Sequence, residues 1–156
     1  MAAQERIVAN VVVPLDYTYN YRVGPYLERY IRELGGEKIM AVKCEGCGRV
    51  VVPPRKTCGE CNRGMDEWLE VGPEGTVENY TVGHVKLNKG LLEPAEPPVM
   101  LALVKLDGAT SLLAGEVRGI EPTDFKNGLR VKAVFKDPAE NSLTDLDHFE
   151  PAPQRK

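Results

Sequence analysis

Apolar and polar positions alternate with different periods in different parts of the chain. Across residues 23–34, Val23, Leu27, Tyr30, Ile31 and Leu34 recur at three- and four-residue steps, with Glu28, Arg29, Arg32 and Glu33 opposite. That spacing predicts an amphipathic helix, ended by Gly35-Gly36. Upstream, residues 7–21 read as an extended segment in which Tyr17, Tyr19 and Tyr21 alternate with Thr18 and Asn20 and share one face. Residues 49–52 read as a short strand followed by a stiff Pro53-Pro54 return. Residues 68–71 lead through Pro73-Glu74-Gly75 into an alternating strand over 76–85. Residues 99–106 are nearly continuous apolar, the pattern of a strand buried on both faces. Asp107-Gly108 then turns the chain into a second hairpin strand over 109–117. After Asn127-Gly128, Leu129, Val131, Ala133 and Phe135 alternate with Arg130, Lys132 and Lys136, a half-buried strand ended by Asp137-Pro138. Residues 143–149 form one more short strand or a turn of helix.

Four or five strands in about 75 residues, joined by turns and without a full helix, suit a small closed barrel of the OB type. The fold class expected is therefore mainly β with an N-terminal helix. Residues 1–37 are the extended segment and helix, 38–66 a cysteine-bearing ribbon, 67–150 the barrel and 151–156 a frayed tail.

The ribbon assignment comes from Cys44-Glu-Gly-Cys47, ten intervening residues, and Cys58-Gly-Glu-Cys61. Two C-x-x-C turns each wrap one side of a tetrahedral cation, with backbone amides free to donate to the thiolates and with Gly48 and Gly59 allowing the tight turns. Disulfides are disfavoured in a reducing compartment, and a redox C-x-x-C needs no duplicate. Cys44, Cys47, Cys58 and Cys61 are thus expected to hold a structural Zn²⁺. Four thiolates close the shell and leave no position for water or substrate, so the metal stabilises rather than reacts. Losing one ligand, as in Cys44→Ser, is expected to release zinc and unfold residues 38–65.

The 156 residues carry 20 Lys+Arg against 23 Asp+Glu, a net charge of -3. A protein that works mainly by gripping phosphate backbones has a basic excess, so nucleic acid is an unfavoured partner. The longest apolar run, residues 99–104, is cut by Lys105 far short of the ~18 residues a membrane span needs. Residues 1–6 lack a basic start followed by an apolar core and so do not read as a secretory signal, which makes the cytoplasm the expected compartment.

Chemistry beyond the metal is sparse. The metal takes every thiol, no G-x-S-x-G nucleophile motif occurs, and His84 and His148 sit in no nucleophile or metal pattern. Five of six tyrosines, Tyr17, Tyr19, Tyr21, Tyr26 and Tyr30, crowd a short stretch. Tyr is enriched at protein interfaces, so they form a candidate docking surface; packing within the chain is the alternative. Residues 86–98, with Lys86, Lys89 and Gly90 before a Pro- and Glu-rich run, read as a long stiffened loop.

The order of these motifs is itself informative. A Tyr-rich helix is followed by Cys44-x-x-Cys47-Gly48, Pro53-Pro54-Arg55 and Cys58-x-x-Cys61. Gly75-Thr-Val-Glu-Asn-Tyr-Thr-Val82, Pro97-Pro98 before the strand ending Leu106-Asp-Gly108, and Gly128-Leu-Arg-Val131 follow. Over about residues 22–150 this resembles the zinc-ribbon OB-fold family catalogued as domain of unknown function 35 and described as acyl-CoA-associated. The resemblance implies a rubredoxin-like ribbon followed by an OB-fold, and an accessory role beside a thiolase-like catalytic chain in a hetero-oligomer. In such assemblies the partner carries the reactive cysteine, as in acetoacetyl-CoA and benzoylsuccinyl-CoA thiolases and steroid side-chain aldolases.

The implied ligand is a CoA thioester, whose phosphates Arg55, Lys86 and Lys89 are candidates to meet; exposed solubilising charge is the alternative for each. The chain is not expected to be catalytic alone. Two rival readings remain: a single-strand nucleic-acid module, for which the barrel offers Trp68, Tyr80, Phe125, Phe135 and Phe149, and a free-standing acyl-CoA-binding protein.

Overall fold

A computed structural model describes residues 20–88 and 91–153. Helix α1 spans Gly24–Leu34, within a residue of its periodic pattern, and turns Tyr30 and Leu34 into the core. Three strands follow, β1 (Ile39–Lys43), β2 (Val50–Val51) and β3 (Glu67–Val71). They pair antiparallel in the order β2-β1-β3, so the 68–71 segment runs beside β1, from Ile39↔Val71 to Lys43↔Glu67.

The remaining strands, β4 (Glu74–Asn88), β5 (Leu91–Leu106), β6 (Leu113–Glu116), β7 (Arg130–Phe135) and β8 (Leu146–Pro151), form a second sheet ordered β6-β5-β4-β7-β8. This sheet curls until its edges meet. Val117, just past β6, makes a parallel bridge to Phe149 of β8, and the Arg118 amide donates to the Phe149 carbonyl at 2.8 Å. That single bridge joins the edges, and no ladder closes the sheet among the described residues. Gly115 makes the curl possible: a Cβ there would lie 2.5 Å from the Phe149 ring, so only a glycine lets the fully buried ring cross β6. Residues 143–149 supply both expected elements, a 3₁₀ turn over Leu143–Asp145 and then β8.

Two expectations are corrected. Residues 86–88 and 91–98 are strand rather than loop: past a register shift at Gly83/Val85, which leaves residues 95–98 without ladder partners, β4 and β5 resume pairing from Val85↔Pro94 to Asn88↔Leu91. Prolines at 94, 97 and 98 hid this. They are tolerated because β6 pairs with β5 only over residues 101–104, leaving the proline-bearing stretch with no strand paired on its far side among the described residues. Residues 99–106 are also not buried on both faces. Ala102, Val104 and Leu106 point inward, while Leu101 and Leu103 are 46% and 39% exposed.

The two sheets share one apolar core. Tyr30, Leu34, Ile39, Ala41, Val50, Val52 and Val71 belong to the same apolar cluster as Val77, Val104, Leu106, Val131 and Phe149 of the barrel. The β5–β6 turn clasps the ribbon edge as well. Thr110 Oγ1 accepts from the Val50 amide at 3.0 Å and donates to its carbonyl at 2.8 Å, and Ser111 Oγ does the same for Val52 at 2.8 and 2.9 Å. These hydroxyls replace a missing strand partner, satisfying backbone groups that would otherwise be unpaired. No helix among the described residues is long and apolar enough to cross a membrane.

Candidate metal centre

Two turns of matching geometry build the cysteine site. In the first, the Cys44 amide donates to the Arg49 carbonyl at 2.8 Å and the Gly48 amide to the Cys44 carbonyl at 2.8 Å. In the second, Cys58 donates to Arg63 at 2.8 Å and Asn62 to Cys58 at 3.1 Å. The left-handed residue closing each turn is Gly48 (φ +73°) and Asn62 (φ +56°). Gly59, expected to fill that role in the second turn, does not. Asn is one of the few other residues at home there.

The four sulfurs lie within 4.8 Å of one another, with Cys44 Sγ 3.4 Å from Cys61 Sγ and Cys47 Sγ 3.6 Å from Cys58 Sγ. Zn–S bonds of about 2.3 Å in a tetrahedron put sulfurs about 3.8 Å apart, so the set fits Zn²⁺. The electrostatics agree. Amide donation, from Glu60 first and then Cys61, draws the Cys58 thiol down to about 6. The Cys47 amide, with lesser help from Cys61, lowers Cys44. The Arg49 amide also pulls on Cys47, but burial and the neighbouring sulfurs outweigh it and push that thiol up to about 11. Two thiolates form readily and oppose the ionisation of the other two, a conflict that a dication between them removes.

Two contacts fix the turns to each other. Arg49 pairs with Glu60, and Arg63 crosses the first turn so closely that a Cβ on Gly46 would lie 2.5 Å from its Cδ. Val42, Cys44, Val51, Cys58 and Met65 form a small core around the site, with Tyr26 and Trp68 packed on it.

The tyrosines separate. Tyr30 is buried, where loss of hydration pushes its hydroxyl up to about 12, and it is not a surface ring. Tyr26 stacks on Trp68 at 5.4 Å and hydrogen-bonds Asp66, while Arg29 lies over the same indole at 4.2 Å. Helix periodicity could have shown this, since Tyr30 lies on the Leu27–Leu34 stripe. Tyr21 is 75% exposed; Tyr17 and Tyr19 lie outside the described residues. Of the cations, Arg55 is exposed beside the second turn and Lys86 is exposed on the β4–β5 hairpin. Neither is in an ion pair among the described residues, and Lys89 lies outside them. The four cysteines come together, whereas Arg55 and Lys86 sit on separate elements.

The outer barrel face carries what sequence reasoning missed. Asn79, Thr81, Leu101, Leu103 and Ala114 border a shallow, almost wholly apolar depression of about 370 Å³, with Tyr80 at its side, 4.9 Å from Phe125. Phe125 and Phe149 are buried and Trp68 is sandwiched by Tyr26 and Arg29. Among the five rings considered for base stacking, Tyr80 alone is exposed, and single-strand binders use several such platforms.

Two family models match the chain. One, described as the rubredoxin-like zinc ribbon domain of ChsH2, matches residues 32–66; the other, the C-terminal OB-fold domain of ChsH2, matches residues 68–136. A DUF35 domain-containing scaffold protein of Methanocaldococcus jannaschii is 30% identical over 99 residues, 63% of this chain and 67% of the relative. A DUF35-family protein of unknown function from Sulfolobus solfataricus has a solved structure that is 28% identical, with a TM-score of 0.59 over 71% of this chain and 78% of that one. The Ltp2-ChsH2(DUF35) aldolase includes a chain of the same fold, with a TM-score of 0.61 at 20% identity, covering 85% of this chain and 98% of that one.

Proposed function

Because the chain belongs to the DUF35 family of zinc-ribbon OB-fold proteins, we propose that it is the non-catalytic scaffold subunit of a cytoplasmic, thiolase-type acyl-CoA enzyme complex. The relative named a scaffold protein and the fold shared with the ChsH2 part of an aldolase support this reading. The observation that carries it is the uncovered apolar depression at Leu101 and Leu103. Exposed leucines on a barrel face offer apolar surface for a partner chain to cover. Acyl transfer of the thiolase type needs a thiolate nucleophile. All four cysteines of this chain are gathered at one closed metal site, so the nucleophile comes from the partner.

Purifying the protein from its native host tests the reading. A stoichiometric thiolase-like chain is expected to copurify at near-physiological salt and to be identified by mass spectrometry. Recovery of this chain alone, or with an unrelated partner, would sink it.

Within that complex the cations Arg55, Lys86 and Lys89 are assigned to the phosphates of CoA, where ammonium and guanidinium groups make charge-assisted hydrogen bonds. Lys86→Ala is expected to weaken acyl-CoA binding by the assembled complex about threefold to tenfold. An unchanged dissociation constant in equilibrium binding removes Lys86 from the site.

A further inference from the structure

β4 and β5 leave the barrel together. β7 pairs with β4 only over residues 74–76, and β6 with β5 only over residues 101–104. β4 and β5 nevertheless stay paired with each other out to Asn88 and Leu91. Beyond the bulge the two strands form an arm with no third strand beside it among the described residues. Residues 85–88 alone carry it outward by about 14 Å at ~3.4 Å per residue.

The register sorts the arm into two unlike faces. Val85↔Pro94 and Leu87↔Leu92 lie on one side, and Lys86↔Glu93 and Asn88↔Leu91 on the other. The first side is wholly apolar, with Val85 61%, Leu87 73% and Leu92 74% exposed. The second is mostly polar, and Asn88 Nδ2 donates to Glu93 Oε1 at 3.0 Å. A two-stranded ribbon with water on both sides is only marginally stable, so a one-sided apolar arm marks a surface built to be covered.

Size and charge decide what covers it. A stable interface engages about 20–30 residues a side, whereas this face offers four side chains, too few to hold a second copy by themselves. An anionic bilayer is disfavoured by the net charge of -3 and by an arm sequence in which Glu93 and Glu96 offset Lys86 and Lys89, because such surfaces attract basic segments. A narrow, projecting, uncharged strip suits a preformed groove in a larger protein that also covers the depression at Leu101 and Leu103.

We propose that the β4–β5 arm is a docking prong, its Val85/Leu87/Leu92/Pro94 face seated in an apolar, uncharged groove of the catalytic partner chain. The proposal rests on the scaffold reading above and names the surface by which the scaffold engages. Lys86 and Glu93 face away from that groove.

The test uses the full chain and its copurified partner, separated and reconstituted, with Leu87→Asp, Leu92→Asp and the apolar control Leu87→Met. Because these side chains are exposed, zinc stoichiometry and thermal midpoint should match wild type in each variant. The two Asp variants are expected to raise the dissociation constant of the complex at least about tenfold, and Leu87→Met to leave it within about threefold. If the wild type brings a thiolase-like chain and the Asp variants bind it equally well, the prong is wrong and the scaffold reading stands. If the wild type brings none, the scaffold reading falls and the prong with it. Wild-type self-association in sedimentation that the Asp variants abolish would overturn the prong in favour of a second copy. Leu87-dependent binding to vesicles of anionic phospholipid would overturn it in favour of a membrane.

Discussion

Cys44→Ser is expected to abolish stoichiometric zinc and to destabilise the barrel together with the ribbon in a single cooperative transition. Structural zinc of this kind contributes on the order of 10 kcal/mol to folding at neutral pH, comparable to the whole stability of a domain this size. The sequence alone predicts a loss confined to residues 38–65. Packing extends it. Ile39, Ala41, Val50, Val52 and Val71 of the ribbon belong to the apolar cluster that contains Val77, Val104 and Leu106, and Thr110 and Ser111 of the barrel satisfy the backbone of Val50 and Val52. A ribbon that unfolds therefore exposes one wall of the barrel core and strands two hydroxyls. Zinc content by atomic spectroscopy, with thermal unfolding followed in both ribbon and barrel by hydrogen exchange, checks this. Chelation of the wild type should reproduce the variant. An unperturbed barrel transition in zinc-free protein would show that the two sheets are energetically separate after all.

That continuity of core marks where sequence reading succeeds and where it stops. The metal site was legible because tetrahedral thiolate coordination imposes a spacing on the chain, and Cys44, Cys47, Cys58 and Cys61 meet as that spacing requires. The helix and β7 were legible because each buries one face of a strict period, seen in Tyr30 and Leu34 and in Val131 and Ala133. The arm was not, because Val85-Lys86-Leu87-Asn88 alternates on β4 but Pro94, Pro97 and Pro98 on its partner stretch read as a break. Leu101 and Leu103 misled for a different reason. Their apolar character reflects a surface left uncovered, and in sequence it is indistinguishable from burial on a second face. The exchange of Gly59 for Asn62 as the left-handed residue lies below what composition reveals, since both residue types favour turns.

Removing the Arg130 side chain is the second large effect expected. Its guanidinium makes a bidentate pair with Asp107, at 2.8 and 2.7 Å, and reaches Glu74 at 3.0 Å and Thr76 Oγ1 at 3.1 Å. Asp107 first, and then Glu74, holds it well above the ordinary arginine value. These groups stand where β3 hands the chain to β4, where β5 ends and where β7 begins, so one fork ties three strands at the ribbon end of the barrel. Breaking a buried pair by deleting one partner costs about 3–5 kcal/mol. Here the carboxylates are 39% and 30% exposed against 16% for Arg130, so water takes them back in part, and about 2–3 kcal/mol is expected for Arg130→Met. The Nε atom, buried without a partner among the described residues, lowers the loss further, since the methionine carries no donor to strand. Arg130→Lys should recover only part of it, because an ammonium cannot reproduce the two parallel bonds to Asp107. Urea unfolding with an unchanged slope measures each variant. In a double-mutant cycle, Arg130→Met with Asp107→Asn should show a coupling above about 1 kcal/mol. Additive losses would mean that Arg130 acts through its packing against the barrel end and not through the fork.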